Sequence, residues 1–263
     1  VPIDNGNGNT LPCDSDSVYF NMEILPFLIA NCAQPGCHDA ASHEGGITIT
    51  SYQTLMNSGI IVPGDPSDGD FMDIDFSTVG SKNVVIVIHG LEGSSTSKYV
   101  TAMSQVSNEE GFDAAAVNLR GCSGETNRLM SSYHSGKTND LAEIIGYLEN
   151  QKTYENIYIV GYRLGGNLLL KYMGEQRGDY SSKIKGAVGV SVPCDLKGSS
   201  EAVAKFWNMV YMQRFLISLK KKTKIKLEQF PENDLKSEAI LNSKNFLDFD
   251  NYFTAPVNGF VDA

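Results

Sequence analysis

The chain has 263 residues, 41% of them hydrophobic, and a formal charge of −10, which is enough apolar material for one large core or two smaller ones in a globular protein. It contains no run of eighteen apolar residues, so nothing in it reads as a membrane-spanning helix. The one basic cluster, Lys220, Lys221, Lys222, Lys224 and Lys226, has no interleaved aromatics; it reads as a solvated helix face rather than a nucleic-acid footprint.

The charges are unevenly spread. Up to Gly80 there are eleven acidic residues and no Lys or Arg, whereas the rest is nearly balanced; such a break marks a compositional boundary. The cysteines divide in the same way, with Cys13, Cys32 and Cys37 in the acidic segment and Cys122 and Cys194 beyond it. Five is an odd number, which argues against a complete disulfide framework. The sequence starts at Val1 rather than Met, which is compatible with a removed leader.

In chain order, residues 1–17 are rich in Asn, Gly, Pro and Asp and read as an exposed linker. A short apolar run follows from Val18 to Ala30, interrupted by Pro26, and a modest helix is expected over Ser51 to Asn57. Residues 61–70 (IVPGDPSDGD) form a turn-rich seam. Beyond it the pattern becomes regular. Strands are expected at Phe71–Phe76, Val84–Ile88, Ala114–Leu119, Ile157–Val160 and Ala187–Val192. Helices are expected at Ser97–Ser107, around Leu141, Ile144, Ile145 and Leu148, and around Leu168, Leu169, Tyr172 and Met173. Strands that are apolar throughout, alternating with amphipathic helices, predict an α/β fold with a mostly parallel sheet covered on both faces. From Ser199 to about Leu227 a long helical stretch interrupts the alternation, and the last thirty-five residues lack strong periodicity.

The strand at Ile157–Val160 runs into Gly161-Tyr162-Arg163-Leu164-Gly165-Gly166 and then into a helix. That is the setting of the nucleophile elbow, G-x-S-x-G, in which a strained central residue needs flanking residues without side chains. Close helix packing alone is the plainer explanation of such glycines. Arg163 occupies the central position, and a guanidinium has no lone pair with which to attack an ester carbon. It could instead grip a carboxylate or phosphate in a bidentate fashion.

Other stretches fall in register with the elbow: His89-Gly90-Leu91-Glu92-Gly93, Asn118-Leu119-Arg120-Gly121-Cys122-Ser123-Gly124, Tyr133-His134-Ser135-Gly136, and Ser191-Val192-Pro193-Cys194-Asp195-Leu196. Together they resemble the YheT-like branch of the α/β-hydrolases, a group of carboxylesterases and lipid-acting hydrolases, over residues 68–263. The resemblance implies a helical lid over about 199–250 and an oxyanion hole built from the backbone N–H groups of Leu91 and Leu164. It implies a small ester or lipid-like ligand and no cofactor. The acid and histidine of a triad should follow the lid, yet His38, His43, His89 and His134 all precede the elbow and the sequence stops where the family's last strands would start. The resemblance therefore implies a hydrolase of the carboxylic-ester lineage that is inactive as given, with no intact catalytic residue. Cys122 lacks a base to activate it and reads as a structural thiol, and His134 reads as a loop residue.

Cys32 and Cys37, with His38 directly following, form a lengthened C-x-x-C-H haem-attachment pattern. A Cys32–Cys37 disulfide or two free thiols are the plainer alternatives. With the surrounding VYFNMEILPFLIANCAQPGCHDA, the pattern resembles cytochrome c-like domains of exported bacterial proteins, of Bacteroidetes type, over about residues 14–67, with the domain fragment itself placed at 18–67 after the linker. This implies covalent haem c with His38 as an iron ligand and a small, mainly helical electron-transfer module; Met56 and Met72 are poor candidates for a second ligand. The two resemblances disagree about place, export for the first segment and cytoplasm for the second, and an artificial joining of two fragments is the simplest expectation. A non-catalytic small-anion or lipid-binding protein is the third reading. Oligomeric state is not legible.

Overall fold

The computed structural model describes residues 3–4, 10–11, 25–42, 48–50, 68–151 and 153–262. The chain divides into two compact units, Val1–Val62 and Pro63–Ala263. In the first, β1 (Ile3–Asp4) pairs antiparallel with β2 (Thr10–Leu11), and α1 spans Leu25–Asn31. The Gln34 amide closes the end of α1 by donating to the Ala30 carbonyl at 2.7 Å, one of the orphan acceptors of a helix C-terminus. The helix expected at Ser51–Asn57, together with Cys13, His43 and Met56, lies outside the described residues.

The second unit is built on a five-stranded sheet in the order β3-β5-β4-β6-β7. Its strands are β3 (Asp73–Ser77), β4 (Asn83–Ile88), β5 (Asp113–Asn118), β6 (Asn156–Tyr162) and β7 (Ile184–Val190). The last four are mutually parallel and only β3 runs antiparallel, with Ile74 opposite Val117. The helices α2 (Lys98–Glu109), α3 (Thr138–Asn150) and α4 (Leu164–Gln176) make the crossovers. Each expected strand and helix of this stretch is present, with ends shifted by a few residues.

The two-residue period of the strands explains why helices lie on both faces. Val84, Ile86 and Ile88 of β4 turn to one side, where Leu141, Ile144, Ile145 and Leu148 of α3 and Leu168 and Leu169 of α4 meet them in the main core. Val85 and Val87 turn to the other, against Val100, Tyr99 and Met103 of α2. Residues that point both ways must be apolar throughout, and the sequence of β4 is NVVIVI. Met72 is buried within the main core, so its sulfur packs against hydrocarbon.

After β7 the chain forms α5 (Leu196–Val203), a single 3₁₀ turn at Phe206–Asn208, and the long α6 (Met209–Gln229). The stretch without strong periodicity holds α7 (Ser237–Asn242), α8 (Phe246–Phe249), a π turn at Asp250–Thr254 and α9 (Ala255–Val257). Met212 and Leu216 of α6 pack with Ile240, Phe249 and Phe253 to give this region a core of its own.

One buried ionic cluster ties the loop before β3 to the sheet. Arg120, just after β5, pairs with Asp70 at 2.9 Å and Asp140 at 2.7 Å, both buried, and with half-exposed Asp68 at 2.8 Å. Burial pushes the Asp70 carboxyl upward, but Asn127, Arg120 and the Arg128 amide together hold it below the usual carboxylate range. At Asp140 burial prevails over Arg120 and the shift is upward. Removing the shared cation would leave two carboxylates buried without compensation. Arg120→Ala should therefore lower the free energy of unfolding by about 3–5 kcal/mol, read from urea denaturation; a loss within experimental error of zero would contradict this account of the cluster.

Candidate functional site

The corner between β6 and α4 carries the unusual backbone. Arg163 has φ 52° and ψ −113°, a region that a residue with a Cβ enters only under strain. Its amide donates to the Val190 carbonyl of β7 at 2.9 Å, and its carbonyl accepts from the Asn167 amide at 2.9 Å, so the strained residue is fastened on both sides. Glu92 and Ser191, with φ 53° and 52°, lie in the loops after β4 and β7, which converge on this corner.

The flanking glycines are required by contact. A Cβ on Gly161 would stand 2.5 Å from the Gly165 carbonyl oxygen. One on Gly165 would stand 2.7 Å from the Ile88 carbonyl oxygen and nearer still to that of His89. The loop after β4 thus packs directly on the elbow, and a Cβ built on Gly90 would lie 3.1 Å from that of Arg163. Leu164 opens α4; as a first-turn amide it has no intrahelical acceptor and points the positive end of the helix toward the corner. Leu91, partly buried against the main core, lies on the adjoining loop. The Arg163 guanidinium reaches across to the lid and donates to the Tyr211 hydroxyl at 3.2 Å.

The remaining ionisable groups have other duties. His89 is wholly buried: the Leu119 amide donates to its Nε2 at 3.1 Å, so the proton lies on Nδ1, which donates to the Gly90 carbonyl at 2.7 Å. Burial, aided by the nearby Lys222 charge, pushes this imidazole down to about 4 against the opposing pull of the Gly90 carbonyl and Glu92. His89 therefore works as a neutral brace for the loop after β4. His134, also pushed down to about 4 by burial and by Lys137 and Lys171, accepts from the Gly136 amide at 3.1 Å and stacks edge-on against Phe260.

Glu92 anchors a cluster that sequence reasoning missed. Its carboxylate accepts from the Tyr133 hydroxyl at 2.8 Å, from Lys222 at 3.0 Å and from Ser218, and its amide donates to the Tyr133 oxygen at 2.8 Å. Lys222 also reaches the Cys122 sulfur at 3.4 Å. Burial pushes the Cys122 thiol up to about 11 despite that cation, which suits a protonated, unreactive thiol. Lys226 is buried and donates to the Asn127 and Leu129 carbonyls; burial lowers it to about 8. The lysine cluster read as a solvated face is thus divided: Lys221 and Lys224 are exposed, while Lys222 and Lys226 turn inward and bind the lid to the sheet. Their four-residue spacing, in phase with partly buried Leu219 and buried Thr223, was the available signal.

Cys32, Cys37 and His38 follow α1 in the first unit, apart in sequence and unit from the elbow. Cys32 is half-buried, Cys37 exposed, and both thiols are free. The His38 amide donates to the Cys32 carbonyl at 3.3 Å, closing the turn between them.

A family model described as alpha/beta hydrolase fold matches residues 83–238, the stretch that holds β4 to β7, the elbow and most of the lid. The chain belongs to the α/β-hydrolase fold family. This α/β hydrolase is 33% identical over 201 residues to the Escherichia coli protein named "Putative esterase YheT", covering 74% of the chain and 58% of that protein. It is 27% identical over 191 residues to the monoacylglycerol lipase of Saccharomyces cerevisiae, covering 70% of the chain and 42% of the lipase. It thus spans about half the length of these relatives and falls in the esterase and lipase lineage. Among solved structures, a Pyrococcus furiosus esterase superposes with a TM-score of 0.48 at 17% identity, over 72% of this chain and 63% of that one.

The burial of His89 has a measurable consequence. Its folded pKa near 4 lies below the free value of 6.5, so the unfolded chain takes up the proton first as pH falls. Stability is full above about 6.5 and should decline by about 2 kcal/mol by pH 5 from this residue alone, with His134 acting in the same direction. Urea midpoints between pH 7 and 5 should fall steeply in the parent protein and less steeply in His89→Gln; identical slopes would sink the assignment.

Proposed function

We propose that this α/β hydrolase binds the anionic end of an acyl compound, such as a fatty carboxylate, at the corner where hydrolytic members of the fold attack an ester, and that it does not itself hydrolyse esters there. The observation that carries this reading is Arg163 at the tip of the elbow, held at φ 52° with its guanidinium directed toward Tyr211 of the lid. Attack on an acyl carbon needs a lone pair, and a guanidinium offers N–H donors only. Those same donors suit a carboxylate, which accepts two parallel N–H···O bonds from one arginine.

The neighbourhood supports an anion. The first amides of α4 carry the positive end of its dipole, and the Leu91 amide lies on the loop packed against the elbow. The aromatic pair Tyr211 and Phe215, with ring centroids 4.8 Å apart, offers an apolar wall from the lid for the hydrocarbon part. The relatives named as an esterase and a lipase point to the same class of molecule, an acyl chain ending in a carboxyl-derived group.

Two measurements test the reading. Turnover of p-nitrophenyl butyrate should not rise above the buffer rate, and decanoate should bind by titration calorimetry. A charge-assisted pair is worth roughly 1.5–3 kcal/mol, so Arg163→Ala should weaken decanoate binding about tenfold or more without moving the melting temperature. Unchanged affinity in that variant, or ester turnover by the parent that disappears when Arg163 is replaced, would overturn the proposal.

A further inference from the structure

The lid carries a second feature, independent of the elbow. Along the 3₁₀ turn and α6, residues spaced by three and four positions, Trp207, Val210, Arg214, Ile217 and Lys221, fall on one stripe. The opposite side of α6, with Met212 and Leu216, is already seated in the lid core. The stripe itself faces outward: Trp207 is 88% exposed, Val210 86% and Ile217 67%, and neighbouring Phe206 is 74% exposed. Burial of these side chains contributes nothing to the fold described above, and a contiguous exposed apolar patch of this kind marks a contact surface.

Charge indicates what that surface meets. Residues 196–229 hold eight Lys and Arg against two Glu, Glu201 and Glu228, within a chain whose formal charge is −10. Lys205, Arg214 and Lys221 are exposed and flank the apolar residues. Aromatic and aliphatic side chains on one stripe, bordered by cations on an otherwise acidic protein, have the composition of a helix that lies in the plane of an anionic bilayer with its apolar side in the headgroup boundary. Among the described residues no helix is long and apolar enough to cross a membrane, so the contact would be a surface one.

We infer that the stripe from Phe206 to Lys221 docks this protein on an anionic lipid surface, with Trp207, Val210 and Ile217 inserted and Arg214 and Lys221 at the headgroups. The inference does not rest on the role of Arg163, and its test reads neither decanoate binding nor ester turnover.

Trp207 is the only tryptophan in the sequence, so intrinsic fluorescence reports on the stripe directly. Adding vesicles of phosphatidylglycerol and phosphatidylcholine to the intact chain should shift Trp207 emission to shorter wavelength, and bromine-labelled acyl chains should quench it. Ile217→Asp should weaken the vesicle affinity about tenfold or more, and the pair Arg214→Glu with Lys221→Glu should weaken it likewise, both in variants whose circular dichroism matches the parent. An absent shift, or an equal response to vesicles of phosphatidylcholine alone, would overturn the inference. So would emission already at short wavelength without vesicles together with concentration-dependent sedimentation, which would assign the stripe to a second copy of the chain.

Discussion

The architecture of the second unit depends on one close approach, where the β6–α4 corner presses against the loop leaving β4. At Gly161 and Gly165 the backbones lie so near that a single added carbon would overlap a carbonyl oxygen. That approach sets the direction of α4, fixes the loop of Gly90 and Leu91 over the corner, and forces position 163 into a conformation that costs on the order of 1–3 kcal/mol. The surrounding sheet holds the strained residue in place. β4 and β6 are neighbouring inner strands of that sheet, paired in parallel with Ile88 opposite Gly161, and the side chains of β4 are packed on both faces. His89, neutral and doubly hydrogen-bonded, keeps the loop from relaxing away.

The lid is attached to this frame by charge as much as by packing. Glu92, next to Leu91 in the loop after β4, is the acceptor for Lys222, Ser218 and Tyr133, while Lys226 caps carbonyls of the 127–129 loop. Half-buried pairs of this kind give little net stability compared with apolar contacts, but breaking one leaves an uncompensated charge, so they fix where α6 lies. Its position brings Tyr211 to Arg163. The elbow, the loop and the lid are thus one mechanical unit, and the side chain at its centre is a cation with donors and no nucleophile.

Much of this was legible in the sequence. Apolar runs such as NVVIVI, the three glycines around Arg163 and the i, i+3, i+4, i+7 series from Leu141 to Leu148 specified the sheet, the corner and its covering helices, because buried strands and close backbone contacts restrict residue choice severely. The antiparallel direction of β3 was not legible, since an alternating strand pattern is the same either way. The short helices from Ser237 to Val257 were hidden by Asn, Asp and Pro residues whose local preferences are overridden by packing of Ile240, Phe249 and Phe253 against α6. Lys222 and Lys226 were misread with their solvated neighbours: composition reports charge, while only the helix phase reports which lysines face inward. The exposure of Trp207 and Val210 was likewise invisible, because apolar residues at helical spacing predict a buried face.

The role proposed for the charged side chain at position 163 is to receive an anion. The direct measurement is the nitrogen and proton NMR signal of the Arg163 Nε–H group, assigned by its disappearance in Arg163→Lys, followed during titration with decanoate. A saturable shift of that signal in step with the bound fraction is expected. An Arg163 signal that stays fixed while decanoate binds elsewhere on the protein would contradict it.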